Sequence, residues 1–392
     1  MRSSFSPQRG RAHCDLRAIS RPIRCFWGFL KMSVWKYRRL TPKVLVSKLR
    51  LIDQNDTVDL ADKDLDHVYS LLAKTAYQQE ISEIPPQQVS SISLEDAVLR
   101  NFIRTVDEIA RYSPKNVSEF LTTSLKKFEA SNIKTILRSK SAGVSIDDAL
   151  RNIIPAGELD HAKCKEILEK SQSVRDIVKH LSHTTYGLVL EQVLEEYEKT
   201  ELLLQLEVAV DRCVYGQIWK AVRKLKGLDG RIARTILGLE VDSINIRTIL
   251  RCKQMGLSQD QMIQFLIPVS DVFRRRELEE AAKAADAGAT LDRLLATARV
   301  NLARDYQHLL IELTKDYESR RSIPHLEMVL DRGLLRTSLR MLKRYTPFFN
   351  IGLVLAFLNL KWFELRNLRT IIAGVERGMP RSKVKELLIL PT

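Results

Sequence analysis

Val241-Asp242-Ser243-Ile244-Asn245-Ile246-Arg247-Thr248-Ile249-Leu250-Arg251 decides the fold, because the chain writes this stretch three times. The other copies are residues 128–138, FEASNIKTILR, and residues 363–373, FELRNLRTIIA. All read apolar, acid, two free positions, Asn, aliphatic, base, Thr, Ile, aliphatic. Eleven residues past each Asn stands a glycine, Gly143, Gly256 or Gly378, and 12 or 13 residues further a proline, Pro155, Pro268 or Pro391. Spacing held three times marks a triplicated unit, and a period of 113 to 122 residues is far longer than a solenoid repeat. Each unit is expected to be a small domain.

A weaker match keeps the same register. Leu72-x-x-Thr75-Ala76-Tyr77 resembles Leu181-x-x-Thr184-Thr185-Tyr186, and Leu294-x-x-Thr297-Ala298-Arg299 follows without the tyrosine. Asp211-Arg212 pairs with Asp331-Arg332. Unit boundaries near 157 and 270 divide the chain into 32–157, 158–270 and 271–392. Residues 1–31 hold six Arg and one Lys against one Asp. That basic leader reads as a transit-like segment or as a start placed too early, with Met32 as the true beginning; it is expected to lie outside the fold.

Helical periodicity dominates from Val44 onward, and no segment sustains strand alternation. The expected class is all-α. Helices are expected over 160–170, 174–183, 187–199, 202–226, 277–287, 290–318 and 325–345, with a start at Ser93 for the helix that runs to Pro114. Ser145 and Ser258 precede acidic residues and read as helix caps after the repeat glycines, with Pro380 in the third copy. The longest apolar run, Ile351 to Leu360, is too short for a membrane span. The five cysteines are odd in number and form no CxxC, which suits reduced thiols in the cytosol.

Asn132 shares a helix face with Phe128 and Ile136, and Asn245 and Asn367 sit equivalently. A buried amide must find partners, so the three asparagines are expected to be structural and to bond a neighbouring helix end. Glu129, Asp242 and Glu364, three positions earlier, are placed to join them. Lys134, Arg247 and Arg369 point elsewhere and are candidates for a basic docking ring. Arg332, Arg336, Arg340 and Arg344 recur every four residues and suggest a second docking surface, a basic stripe along one helix.

Catalytic readings find no support. There is no GxxxxGK[ST] and no strand-borne GxGxxG, so no nucleotide cofactor is expected. His180-x-x-His183 lacks a third ligand, and no metal is expected. Without an RNA- or DNA-binding motif or an aromatic platform, nucleic acid is not expected as a partner. A cationic helical adaptor for nucleic acid or an anionic membrane is the alternative class.

Asp211-Arg212 through Trp219, Gly227 to Gly230, Leu239 to Arg247, and Pro347 to Gly352 through Glu364 to Ile371 together resemble the C subunits of archaeal A-type ATP synthases. That family also holds the corresponding stalk proteins of bacterial V-type and vacuolar ATPases. The resemblance covers roughly 44 to 392. It implies three similar helical domains about a pseudo-threefold axis, forming a funnel. It further implies a non-catalytic, single-copy central-stalk component of a rotary proton-translocating complex, peripheral on the cytoplasmic face of the membrane. Its implied partners are the membrane rotor ring and the central axle, between which it passes torque.

Overall fold

The computed structural model describes residues 35–155, 157–269, 273–301, 304–320, 322–346 and 349–390. The leader 1–31, Pro347 and Pro391 lie outside the described residues. Among the described residues every regular element is helical. The N-terminal segment carries α1 (Leu40–Leu49), α2 (Gln54–Leu60), α3 (Leu65–Leu72), α4 (Gln78–Ile81) and the long α5 (Ser91–Tyr112). A first block follows with α6 (Lys115–Ser141), α7 (Ile146–Leu150), α8 (His161–Lys170), α9 (Val174–His180), α10 (Thr185–Thr200) and α11 (Leu204–Arg223). The second block has α12 (Gly227–Gln254), α13 (Gln259–Gln264), α14 (Arg275–Ala282), α15 (Ala287–Asn301), α16 (Arg304–Arg320) and α17 (Ile323–Tyr345). The chain ends with α18 (Ile351–Glu376) and α19 (Arg381–Leu387).

The signature stretches form the C-terminal halves of α6, α12 and α18, and the three helices end alike. Gly143, Gly256 and Gly378 have φ of +64°, +68° and +60°, a left-handed conformation that glycine adopts without a Cβ penalty. In each, the glycine N–H donates to the carbonyl three residues back. The next residue's N–H donates five back: Val144 to Ser139, Leu257 to Cys252 and Met379 to Gly374. This paired closure satisfies the carbonyls left open at a helix end. Ser145 and Ser258 then cap α7 and α13 by accepting from the N–H groups of Asp148 and Gln261. Pro380 occupies the cap position of α19, the place that the serines hold in the other two copies, without a side-chain bond.

Each signature helix packs against several others. α6 packs on α7, α8, α9 and α11; α12 packs on α13, α14, α15 and α17. α18 packs on α19 and then on α1, α2, α3 and α5 from the other end of the chain. Each signature helix also packs on the long helix before it, α6 on α5, α12 on α11 and α18 on α17, so preceding and following helices cover it together. For α18, with few residues after it, the first segment takes the place of the following helices. The boundaries expected at 157 and 270 fall in the loops after α7 and α13. Buried side chains join α1 to α18 in one apolar core, including Leu40, Val44, Ile133, Val210, Ile371 and Leu388. A second core gathers Ile249, Phe273, Leu291 and Leu330 around α12, α15 and α17.

Two local expectations change. The helix α5 begins at Ser91, because Ser90 is its cap and Ser93 sits at its third position, its hydroxyl accepting from the Ser90 N–H. The stretch 290–318 is two helices, α15 ending at Asn301 and α16 starting at Arg304.

Candidate functional site: the clamps and seams of the signature helices

Asn132, Asn245 and Asn367 are buried, and each binds a backbone residue 22 positions later. The Asn132 amide donates to the Ile154 carbonyl at 2.7 Å and accepts from the Ile154 N–H at 2.8 Å. Asn245 makes the same pair to Ile267 at 3.2 and 2.8 Å, and Asn367 to Ile389 at 2.9 and 2.8 Å. A primary amide offers one donor and one acceptor side by side, so it stands in for the backbone partner that an irregular buried segment lacks. The partner is therefore the loop after the following short helix, not a helix end. The sequence carried the signal: Ile154 and Ile267 directly precede Pro155 and Pro268.

The acids bind more distant parts of the chain. Glu129 accepts from the Glu158 N–H at 2.9 Å and from the Tyr186 hydroxyl at 3.3 Å. Asp242 accepts from the Phe273 N–H at 3.3 Å. Glu364 accepts from the Ile52 N–H at 2.6 Å and the Tyr77 hydroxyl at 2.7 Å. Lys361 also donates to Glu364 at 2.7 Å and lies 3.9 Å from the centre of the Tyr77 ring. Burial first, and the Glu364 carboxylate second, push the Tyr77 hydroxyl well above the ordinary phenol range, so it remains a donor. Burial pulls the Lys361 amine down from the ordinary range, against the opposing pull of Glu364.

The signature bases close the seams to the last long helix of each packing group. Lys134 on α6 meets Asp211 on α11 at 2.7 Å, and Arg247 on α12 meets Asp331 on α17 at 3.6 Å. Arg369 on α18 meets Glu95 on α5 at 3.0 Å. One turn later, Arg138 pairs with Glu207, with Nη2 to Oε2 at 2.9 Å, and Arg251 with Glu327, with Nε to Oε1 at 2.8 Å. At the corresponding places in the third seam stand Ala373 and Ser91, so base and acid are absent together. Burial raises the Asp211 and Glu95 carboxyls above their usual range, with Lys134 and Arg369 pulling the other way. Lys134, Arg247 and Arg369 are thus engaged within the chain, which corrects their reading as a docking ring. The acids Asp211 and Asp331 were visible as the repeated Asp-Arg pair; Glu95 carried no such mark.

A cavity of about 260 Å³ lies beside the first of these seams, bordered by Lys134, Arg138, Glu207, Asp211 and Arg247. A smaller, largely apolar cavity of about 90 Å³ sits where α6, α12 and α18 converge, between Leu121, Leu125, Ile236, Leu237, Leu355 and Leu358. Lys127 bridges to Glu240 at 2.8 Å there, and at the equivalent third position Trp362 lies against Phe128 with the rings tilted at 45°, 5.1 Å between ring centres.

The arginine stripe on α17 divides. Arg332 is half-buried with its Nε sealed from solvent, and Arg336 is half-buried and paired with Glu312 of α16. Arg340 and Arg344 are exposed, the latter 5.6 Å from the centre of the Tyr345 ring. The stripe is therefore not one continuous surface, because half of it faces α16 and the core. α9 ends at His180, so His183 lies in the following turn and the two share no helix face. Among the described residues no three His, Cys, Asp or Glu groups gather as metal ligands, and no helix is long and apolar enough to cross a membrane. Burial raises the thiols of Cys164 to about 12 and Cys252 to about 11, which leaves both protonated and inert.

Residues 40–387 match the family described as ATP synthase (C/AC39) subunit. The A-type ATP synthase C subunit of Methanothermobacter thermautotrophicus is 28% identical over 332 residues, 84% of this chain and 83% of that protein. The protein of the same name from Methanocaldococcus jannaschii is 25% identical over 354 residues, 90% of this chain and 86% of its own length. That from Haloferax volcanii is 26% identical over 322 residues, 81% and 88%.

Proposed function

Because the chain belongs to the ATP synthase (C/AC39) subunit family, we propose that it is the non-catalytic central-stalk component of a rotary A/V-type complex. In this reading the three packing groups stand about a pseudo-threefold axis as a funnel. It sits on the cytoplasmic face of the membrane, on the rotor ring, and receives the central axle in a single copy.

The observation that carries this reading is closure. A part that passes torque must resist shear between its modules, and a chain folded as an open row has one unsupported end. Here Tyr77 and Ile52 bind Glu364, Glu95 binds Arg369, and Asp62 accepts from Lys385 at 2.7 Å. The first and last segments are thereby locked into one packing group. Charge pairs across every seam add orientation more than net stability. Of the docking candidates, Arg340 and Arg344 keep an exposed place and are the ones proposed to meet an acidic partner.

The test is affinity purification of this chain, tagged, from native membranes. The ring and axle proteins should co-purify, in one copy of this chain per complex. An intact, active ATPase isolated without this chain would refute the proposal.

A further inference from the structure

Of the net charge of +15, the first 52 residues supply 13 bases against one acid, or +12, leaving +3 for the other 340. Residues 35–52 hold six of these bases and no acid. Lys36 is tied to Asp229 and Lys43 to Glu108, but Arg38, Arg39, Lys48 and Arg50 form no ion pair with any described residue. The same short stretch carries three of the chain's large exposed apolar side chains: Trp35 (67% exposed), Val46 (49%) and Leu49 (82%). Within α1, Leu40 and Val44 turn inward, where the helix packs on α5 and α18, while Pro42, Val46 and Leu49 fall at i, i+4 and i+7 on the outer side. The Arg38 guanidinium lies 4.3 Å from the centre of the Trp35 ring.

We infer that the outer face of residues 35–50 is an interfacial docking surface for an anionic phospholipid bilayer. Interleaved bases, an exposed indole and exposed aliphatics without any acid are what a headgroup boundary rewards. Trp and Leu enter the acyl edge while long basic side chains keep their charge among the phosphates. A localised acidic protein patch could match the four unpaired bases but would leave Trp35, Val46 and Leu49 unused. The inference sharpens the peripheral placement proposed above and rests on that reading only for the presence of a nearby membrane.

Co-sedimentation of the full chain with vesicles tests it. Binding is expected to phosphatidylglycerol–phosphatidylcholine vesicles at 0.1 M salt, with little to phosphatidylcholine alone and a steep loss at 1 M. Arg38→Glu with Arg39→Glu should weaken binding by about a hundredfold or more. Trp35→Ser with Leu49→Ser should weaken it by about tenfold, with an unchanged melting curve because both side chains are exposed. Wild type that ignores anionic vesicles overturns the inference. So does charge-reversed protein that binds like wild type, which would move the site elsewhere. Unchanged binding after loss of Trp35 and Leu49 would equally overturn it, since the face would then meet charge alone and not a bilayer. Failure here alongside successful co-purification with the ring would remove this surface and leave the stalk reading standing.

Discussion

Tyr77 donates its hydroxyl to Glu364 across 287 residues of sequence, and Tyr186 makes the equivalent bond to Glu129 across 57. The two tyrosines occupy matching places in the repeat, and so do the two acids. What differs is the direction of travel: one acid finds its tyrosine further along the chain, the other at the chain's beginning. The third packing group is complete only when the two ends of the protein meet.

Breaking that contact should destabilise the whole fold, not one end. Tyr77→Phe and Glu364→Gln, combined in a double-mutant cycle, should show a coupling of about 1–3 kcal/mol, as for a hydrogen bond to a charged acceptor. Denaturant unfolding followed by far-UV circular dichroism measures it. A coupling near zero would mean the ends are held by apolar packing alone.

Asn245→Leu should cost about 1–3 kcal/mol. The leucine fits the apolar face beside Val241 and Ile249 but leaves the Ile267 N–H and carbonyl buried and unpaired. Thermal and denaturant melts of the purified variant report this directly, and a wild-type midpoint would show that the segment around Ile267 finds other partners.

Glu80 gives a pH dependence of definite sign. Burial opposes its charge, yet hydrogen bonds from Arg104 and Asn101 prevail and hold its carboxyl below the usual range. A folded pKa below the unfolded value of about 4.3 means stability that is present above that pH and lost as pH falls through the folded value. Wild type should therefore lose melting temperature more steeply on acidification below about pH 4.5 than Glu80→Gln. Parallel curves for the two proteins would count against this carboxylate.

The divided arginine stripe predicts a contrast between neighbours on α17. Arg336→Glu removes the pair with Glu312 and sets two carboxylates together, for a loss of about 1 kcal/mol. Arg344→Glu, on the exposed side, should shift stability by less than about 0.5 kcal/mol. Equal effects on the melting curves would show that the half-buried pair carries no weight.

The sequence by itself determined the helical class, the triplication and the equivalence of the three asparagines. These follow from periodicity and spacing, which are local properties of the chain. It also marked the helix ends, because a left-handed closing residue calls for glycine wherever the helix sits. The family could likewise be read from the signature stretches.

Tertiary structure alone decided which helices cover each signature helix. A repeat in sequence has no preferred starting point, whereas packing covers each signature helix from both sides, and α18, which has only α19 after it, takes α17 and α12 on one side and the first segment on the other. Packing also decided the fate of the charges. Lys134, Arg247 and Arg369 look free in the sequence because their partners Asp211, Asp331 and Glu95 lie 77, 84 and 274 residues away. Whether a base faces solvent or a carboxylate depends on which helices cross it, and no local pattern carries that information.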